Sequence, residues 1–436
     1  MTELLPVLTL VGGLLLGLIT GFPMAFTLSS SAIVTAFFFF GAQTLPFVAT
    51  NVFGMMSSMV LIAMPLFILM ACVLEKSGVA EDLYAFMYQA LGPVRGGLAM
   101  STVLICAVIA AMSGISTTGV VTMGIIALPI MLKLGYNKSL AIGPILAGGA
   151  LGLLIPPSIS LVIYGMVARV SVGKLFAGGL APGLLLVASF LVYVAVRCHF
   201  QPSYGPALSR EERVPLKELF ILSKGLILPL GVVALVLGTI FSGIASPTEA
   251  AAVGVAGAMF SALVNRRLSW EMLSDAAMRT MSISGMVMWI LFGAACFTSI
   301  FFRTGGQAYI ADFLIGLESP VLIFGFILTV LIVMGCFLDE ITQVMITVPI
   351  FLPIIIQLGY DPVWFGVFFM TVVQIGYLTP PFGFCLFYMK GVAPPEVSMA
   401  DIYRSITPFV LIQLAVVIFI LIFPGVVMWL PTVLLN

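Results

Sequence analysis

Apolar residues run along this chain in stretches too long and too continuous to be the buried faces of soluble helices. Ten of them, at 4–20, 23–41, 50–74, 138–169, 177–197, 224–242, 247–265, 280–303, 361–390 and 407–430, predict membrane crossings, because a hydrocarbon core about 30 Å thick takes roughly 20 helical residues. Two more apolar stretches, 97–134 and 319–358, are interrupted near their middles by Ser113-Gly-Ile-Ser-Thr-Thr-Gly119 and Gly335-Cys-Phe-Leu-Asp-Glu340. Their arms of roughly 16–19 residues are at or just below spanning length, so both read as re-entrant hairpins. The only strongly polar stretch is 197–224, which contains Ser209-Arg-Glu-Glu-Arg213. It reads as a solvated linker between near-equal halves, in preference to a regulatory site.

Composition sharpens this picture. Of 436 residues, 62% are apolar and only 8% charged, against about 25% charged in soluble domains. A soluble enzyme is excluded, and the fold expected is an all-α polytopic membrane protein. Seventeen basic and seventeen acidic residues cancel, which leaves no footprint for nucleic acid. The start, MTELLPVLTL, lacks a basic n-region and a cleavage site, so it reads as a first span and not a removable signal. The six cysteines form no CxxC pair and read as small buried hydrophobes, not a disulfide framework. Under the layout above, fourteen of the seventeen Lys and Arg side chains fall on one side, leaving Arg169, Lys174 and Arg303 on the other. The positive-inside rule makes the first side cytoplasmic. Both termini then face outward, hairpin 97–134 opens to the cytoplasm and hairpin 319–358 to the outside.

An internal repeat appears at an offset of 224 residues. Leu128-Pro-Ile-Met-Leu-Lys-Leu-Gly-Tyr136 falls on Leu352-Pro-Ile-Ile-Ile-Gln-Leu-Gly-Tyr360, Gly152 on Gly376, Pro156-Pro157 on Pro380-Pro381, and Tyr164 on Tyr388, with 11 identities in 37 ungapped positions. Five crossings per half is an odd number, so the halves, 1–196 and 225–436, are expected to be inverted relative to each other. Inverted repeats with discontinuous helices characterise secondary transporters, with sites near the midplane at the breaks. A channel shares part of this pattern, but hairpins entering from opposite sides suit alternating access better.

The breaks carry the candidate chemistry. Gly149-Ala-Leu-Gly-Leu-Leu-Ile-Pro-Pro-Ser158 interrupts the fourth crossing and Gln374-Ile-Gly-Tyr-Leu-Thr-Pro-Pro-Phe-Gly383 the ninth. Paired prolines remove N–H donors and free the carbonyls one turn earlier, and such backbone is tolerated at membrane depth only against protein or a watery cavity. Freed carbonyls with serine and threonine oxygens form a hard-oxygen site that suits Na⁺, and neighbouring helix N-termini offer positive ends to a carboxylate. A packing kink is the alternative for one break; two related breaks opposite two polar tips favour a site. Asp339-Glu340 reads either as a functional intramembrane acid pair or as a cap for the arm that follows. Glu249, in Ser246-Pro-Thr-Glu-Ala250, reads as a helix cap. His199 is the only histidine, so a zinc or diiron centre lacks ligands. No Gly-x-Ser-x-Gly elbow is present, and no enzyme is expected. Amphipathic stretches at 79–91, 306–317 and 397–404 read as interfacial connectors or as arms joining a mobile hairpin unit to a static frame.

Taken in order, Gly21-Phe-Pro23, Pro65-Leu-Phe67, the 113–119 tip, Ile155-Pro-Pro-Ser158, Ser246-Pro-Thr-Glu-Ala250 and Gly376-Tyr-Leu-Thr-Pro-Pro-Phe-Gly383 resemble the large membrane subunit of tripartite ATP-independent periplasmic (TRAP) transporters, the DctM-like family. The resemblance covers nearly the whole chain. It implies an elevator-type, sodium-coupled importer of an organic acid such as sialic acid or a C4-dicarboxylate, in a bacterial or archaeal inner membrane. It also implies two partners, a small four-helix membrane subunit and a periplasmic substrate-binding protein. With no further helices after the tenth crossing, the small subunit is expected to be a separate polypeptide. By the resemblance one Na⁺ lies among Ser113, Gly114, Ser116, Gly152, Ile155 and Pro156, and a second among Gly335, Asp339, Gly376, Thr379 and Pro380. Substrate lies between the tips, near Thr117, Thr118, Pro157, Ser158, Thr342 and Pro381, with Thr379 close by. A stand-alone sodium–dicarboxylate carrier of the divergent anion family shares the hairpin logic and is the alternative.

Overall fold

The computed structural model describes residues 4–208, 211, 213 and 215–435, and among them every regular element is a helix. Helices α1 (Leu5–Thr20) and α2 (Met24–Phe40) are joined by Gly21, at φ 73°, and Pro23. Helices α3 (Leu45–Met56) and α4 (Val60–Lys76) follow, then the short amphipathic α5 (Val79–Leu91). Helices α6 (Gly97–Ser113) and α7 (Ser116–Lys133) turn back on each other at Gly114-Ile115. Next come α8 (Lys138–Ala150), an irregular stretch over 151–158, α9 (Ile159–Ala168) and the long α10 (Val172–Phe200).

The second half repeats this plan. It contains α11 (Leu216–Phe241), α12 (Pro247–Val264), α13 (Trp270–Arg303) and the short α14 (Gly306–Ile315). Helices α15 (Pro320–Gly335) and α16 (Glu340–Gln357) turn back at 336–339, α17 (Pro362–Tyr377) breaks before α18 (Phe384–Val392), and α19 (Met399–Ile422) and α20 (Gly425–Leu434) end the fold. Shifted by 224 residues, the bounds of α7 coincide with those of α16. The bounds of α2, α6, α8, α9 and α10, shifted likewise, fall within three residues of those of α12, α15, α17, α18 and α19. Even the caps correspond: Asn137 Oδ1 accepts from Ser139 N at 2.9 Å, and Asp361 Oδ1 from Val363 N at 2.7 Å.

Several elements differ from the hydropathy expectation. The third crossing is two helices bent by 55° around Ser57-Ser58-Met59. The eighth begins at Trp270, ten residues before its apolar stretch, because Ser269 caps it and its polar first turns are ion-paired to the end of α4. Those pairs are Arg279–Glu75 at 2.8 Å and Lys76–Asp275 at 3.2 Å. A Ser398–Asp401 capping box starts the tenth crossing early, and the chain breaks at Phe423-Pro424 before α20. Between the halves, α10 and α11 extend into the predicted linker from both ends; Ser209, Arg210 and Glu212 lie outside the described residues. Glu249 closes a capping box with Ser246. By length and composition, six described helices can cross a membrane, or seven if the bent α3–α4 pair counts as one span.

Two groups of helices emerge. Helices α1–α4 pack with α11–α13, while α6–α10 pack with α15–α20; the groups meet chiefly where α13 touches α16 and where α4 touches α6 and α9. Within the first group α13 crosses α2 so closely that a methyl on Gly293 would lie 2.4 Å from the Ala25 carbonyl oxygen, whereas one on Gly285 meets nothing within 4 Å. Backbone cannot yield as a flexible side chain does. Gly293→Ala is therefore expected to cost about 1–3 kcal/mol and to lower the unfolding midpoint of the detergent-solubilised protein. Gly285→Ala should leave that midpoint in place.

Candidate functional site

At the first break, backbone lies directly on backbone. Gly114, at φ 63°, sits against the 157–159 segment: a methyl there would be 2.5 Å from the Pro157 carbonyl oxygen, and Ile159 N donates to the Gly114 carbonyl at 3.4 Å. Gly152 lies on the start of α7, where a methyl would be 2.8 Å from Ile115 C and 2.9 Å from Ser116 N. The serines close the irregular backbone locally. Ser113 Oγ donates to Ile115 O at 3.3 Å, and Ser158 Oγ donates to Leu153 O at 2.8 Å while accepting from Leu161 N. Ile155 is buried against Gly183 of α10, and the Pro156–Pro157 and Pro380–Pro381 bonds are both cis. Thr117 is half-buried in the first turn of α7. Thr118 and Ser113 line a small crevice facing Ala71, Glu75 and Ala80, so both also border the other helix group.

The second break uses the same device with different residues. Gly335, ending α15, meets Gly376 near the end of α17: a methyl on either would lie under 3 Å from the other's Cα. Thr379 Oγ1 donates to Ile375 O at 2.6 Å, and the Cys336 thiol reaches Pro380 O at 3.7 Å. Asp339 is the N-cap of α16, accepting from Thr342 N at 2.9 Å and from Thr342 Oγ1 at 2.6 Å. Glu340 instead bridges three segments. Its carboxylate accepts from the Tyr377 hydroxyl of α17 and from Ser160 Oγ of α9 at 3.5 Å, while its own N–H donates to Tyr377 Oη at 2.5 Å. The Pro381 carbonyl accepts from Tyr403 at 3.3 Å.

These contacts bring four helix N-termini together. Gly114, just before α7, touches the start of α9; Ser160 in the first turn of α9 meets Glu340 at the start of α16; and α18, which starts at Phe384, packs along α7 with Cys385 beside Ser116. Each start presents the positive end of its helix dipole, and no residue named in these contacts is basic. Beside the second break, Gln343 and Gln374 are completely buried, and Gln343 Oε1 and both amide atoms of Gln374 have no hydrogen-bond partner.

With this geometry in view, comparison with known proteins is decisive. Residues 11–426 match the family described as the DctM component of tripartite ATP-independent periplasmic transporters. The chain belongs to that family.

Its relatives are permeases. It is 32% identical to the C4-dicarboxylate TRAP transporter large permease protein DctM of Pseudomonas aeruginosa, over 90% of this chain and 91% of that one. It is also 32% identical to the ectoine/5-hydroxyectoine large permease UehC of Ruegeria pomeroyi, over 95% and 96%. Identity to the isethionate TRAP permease DctMQ of Oleidesulfovibrio alaskensis is 31% over 97% of this chain, which spans only 66% of that protein's length. In fold, the chain resembles the crystal structure of the Alcanivorax borkumensis YdaH transporter, with TM-score 0.63 and 16% identity over 96% of this chain and 98% of the other. Membership makes this a multi-pass permease of the bacterial inner membrane and sets it apart from the divergent anion carriers that hairpins and breaks alone had left open.

Sequence reasoning passed over Tyr377, Ser160, Gln343 and Gln374. Tyr377 and Gln374 were within reach, since both stand inside the second break's motif; Ser160 was masked because nothing local marks a polar residue that pairs across the fold, and Gln343 because its complete burial is set by tertiary packing. Tyr377→Phe removes the only hydroxyl serving both the N–H and the carboxylate of Glu340. Losing a buried partner costs about 1–3 kcal/mol. Faster hydrogen exchange confined to the first turn of α16 is the expected result, and unchanged exchange there would contradict the bridging role.

Proposed function

We propose that this permease couples the inward movement of Na⁺ to the import of an organic acid delivered by a periplasmic binding protein, with a small membrane subunit completing its frame. The observation carrying this reading is the convergence of the α7, α9, α16 and α18 starts between two breaks. Four positive helix ends without a basic side chain can hold a carboxylate through backbone N–H and hydroxyl donors, and unwound carbonyls beside them suit Na⁺.

The donor set fits sodium. Backbone carbonyls and hydroxyls of Ser113, Gly114, Ser116, Gly152, Ile155 and Pro156 would hold one ion, and those of Gly335, Asp339, Gly376, Thr379 and Pro380 a second. The unpaired oxygens of Gln343 and Gln374 supply further hard ligands near the second. Bound sodium supplies positive charge that offsets the substrate's carboxylate. Substrate would lie between the tips, bordered by Thr117, Thr118, Pro157, Ser158, Thr342 and Pro381. The substrate class is consistent with the relatives' names: isethionate, C4-dicarboxylates and ectoine each carry a carboxylate or sulfonate. Sialic acid and a C4-dicarboxylate are the acids to try first.

In the proposed cycle, α6–α10 with α15–α20 form the moving unit, α1–α4 with α11–α13 the frame, and α5 and α14 the arms between them. Charge supports the direction. Lys76, Arg267 and Arg279 gather at one end of α4 and α13, with Arg303 at the other, and the positive-inside rule makes the first end cytoplasmic. Both termini then face the periplasm.

Proteoliposomes holding this chain and the small subunit test the reading with labelled acids. Uptake is expected to require both an inward sodium gradient and the binding protein. Thr379→Val, which keeps the side-chain shape but loses the oxygen, should raise the sodium concentration for half-maximal uptake severalfold. Uptake indifferent to sodium would refute the coupling, and sodium-driven uptake of free acid would refute the need for delivery.

A further inference from the structure

Away from the tips, a cavity of about 530 Å³ opens between the two helix groups. Its polar lining comes from Asn51 of α3, Ser58 at the α3–α4 bend, Arg169 at the end of α9, and Thr298 and Ser299 of α13, with Met345 of α16 among the apolar walls. Arg169 is the only ionisable side chain lining it, and among the described residues it makes no ion pair. Its backbone is held at φ 54°, ψ 42° in the C-cap of α9, a left-handed conformation that glycine adopts with less strain. An exposed arginine without an ion pair on the wall of a concavity points to a ligand.

The cavity's position says which ligand. Phe47 lines it, and the Arg303 guanidinium lies 5.9 Å from the Phe47 ring, so Arg169 and Arg303 share the face opposite the basic cluster. Along α9, Arg169 stands nine residues beyond Ser160, or about 13 Å, and along α16 Met345 stands five residues beyond Glu340, or about 8 Å. Both walls therefore descend to the Ser160–Glu340 contact beside the converging helix starts. Thr298 Oγ1, donating to Met345 O at 3.0 Å, ties the two groups across the cavity.

We propose that this cavity is an outer capture site in which Arg169 takes the carboxylate of a small organic acid before the acid descends to the tips. The volume lies within the roughly 300–1,000 Å³ of small-molecule pockets, and a concavity of that size favours a small acid over the acidic side chain of a docking protein. Deeper in, contacts come from helix ends; at the mouth, the Arg169 cation raises the local concentration of anions. The proposal extends the transport reading, and its test can be read even if that reading fails.

Ser58→Cys places a reporter thiol in the cavity of the full-length chain in nanodiscs, where all six native cysteines are buried. Its reaction rates with an anionic methanethiosulfonate (sulfonatoethyl) and a cationic one (trimethylammonium-ethyl) give a charge-sensitive ratio. Adding Arg169→Gln should lower the anion-to-cation ratio about threefold or more. Arg169→Lys should keep the ratio, as should Lys174→Gln, which changes another cation of the same face outside the cavity. Succinate or N-acetylneuraminate should slow the thiol's reaction with a neutral reagent when Arg169 is present and not in the glutamine variant. An unchanged ratio would overturn the capture site. A lowered ratio with protection by the binding protein alone would overturn the small acid in favour of a docking surface. If the permease reconstituted with its small subunit and binding protein transports no organic acid, the proposed function fails while the ratio and protection still decide the capture site.

Discussion

A backbone amide inside a bilayer has no water to pair with, and an unsatisfied one costs several kcal/mol. This constraint governs the molecule. Two crossings are deliberately interrupted by paired prolines, and an interruption at membrane depth persists only where other protein covers it. Each break is covered by its own hairpin through glycine contacts in which a single methyl group would not fit. Gly152 lies on Ile115-Ser116 and Gly376 on Gly335. The breaks and the tips thus depend on one another, and the helix starts they bring together form the candidate site.

The seam around this unit is built differently. Between α1 and α13 on one side and α15, α16 and α18 on the other lies an apolar cavity of about 1120 Å³, walled by residues such as Leu15, Phe297, Met334 and Phe387. Apolar walls lose no hydrogen bonds when they slide. Among the described residues the direct polar ties across the seam are few, Thr298 to Met345 O among them, whereas the pairs of Glu75, Lys76 and Asp82 with Arg279, Asp275 and Arg267 lie within the frame and its arm. Lys138, at the start of α8, pairs with Asp401 at 2.9 Å and so fastens the first residues of α19 to the hairpin unit. A tight interior with a greasy boundary is the arrangement that rigid-body movement requires.

Much of this was legible in the chain. Hydropathy marked the apolar segments, and the two-proline, two-glycine landmarks revealed an offset that the element bounds follow. Where hydropathy misled, helices carried polar turns: α13 begins well before its apolar stretch because Glu75 and Lys76 of α4 neutralise its Arg279 and Asp275, a pairing invisible to a local window. The bend at Ser57-Ser58 has no counterpart at the matching register of α13, and nothing in the structure explains that difference. Asp339-Glu340 was ambiguous for a physical reason. Adjacent acids at a helix start can cap or bind, and here the work is divided: Asp339 caps while Glu340 reaches across to Tyr377 and Ser160, a role set by tertiary contacts.

In the proposed cycle, hairpins and broken crossings move as one body against the frame. Electron–electron distance measurements between spin labels test it directly, with one pair at Phe260 of α12 and Ile356 of α16, and another at Ile125 of α7 and Phe387 of α18, all exposed positions. With and without sodium and a transported acid, the first distance should shift between two populations while the second holds a single value. A constant first distance together with a shifting second one would mean that the hairpins open against their own crossings, and would contradict the account.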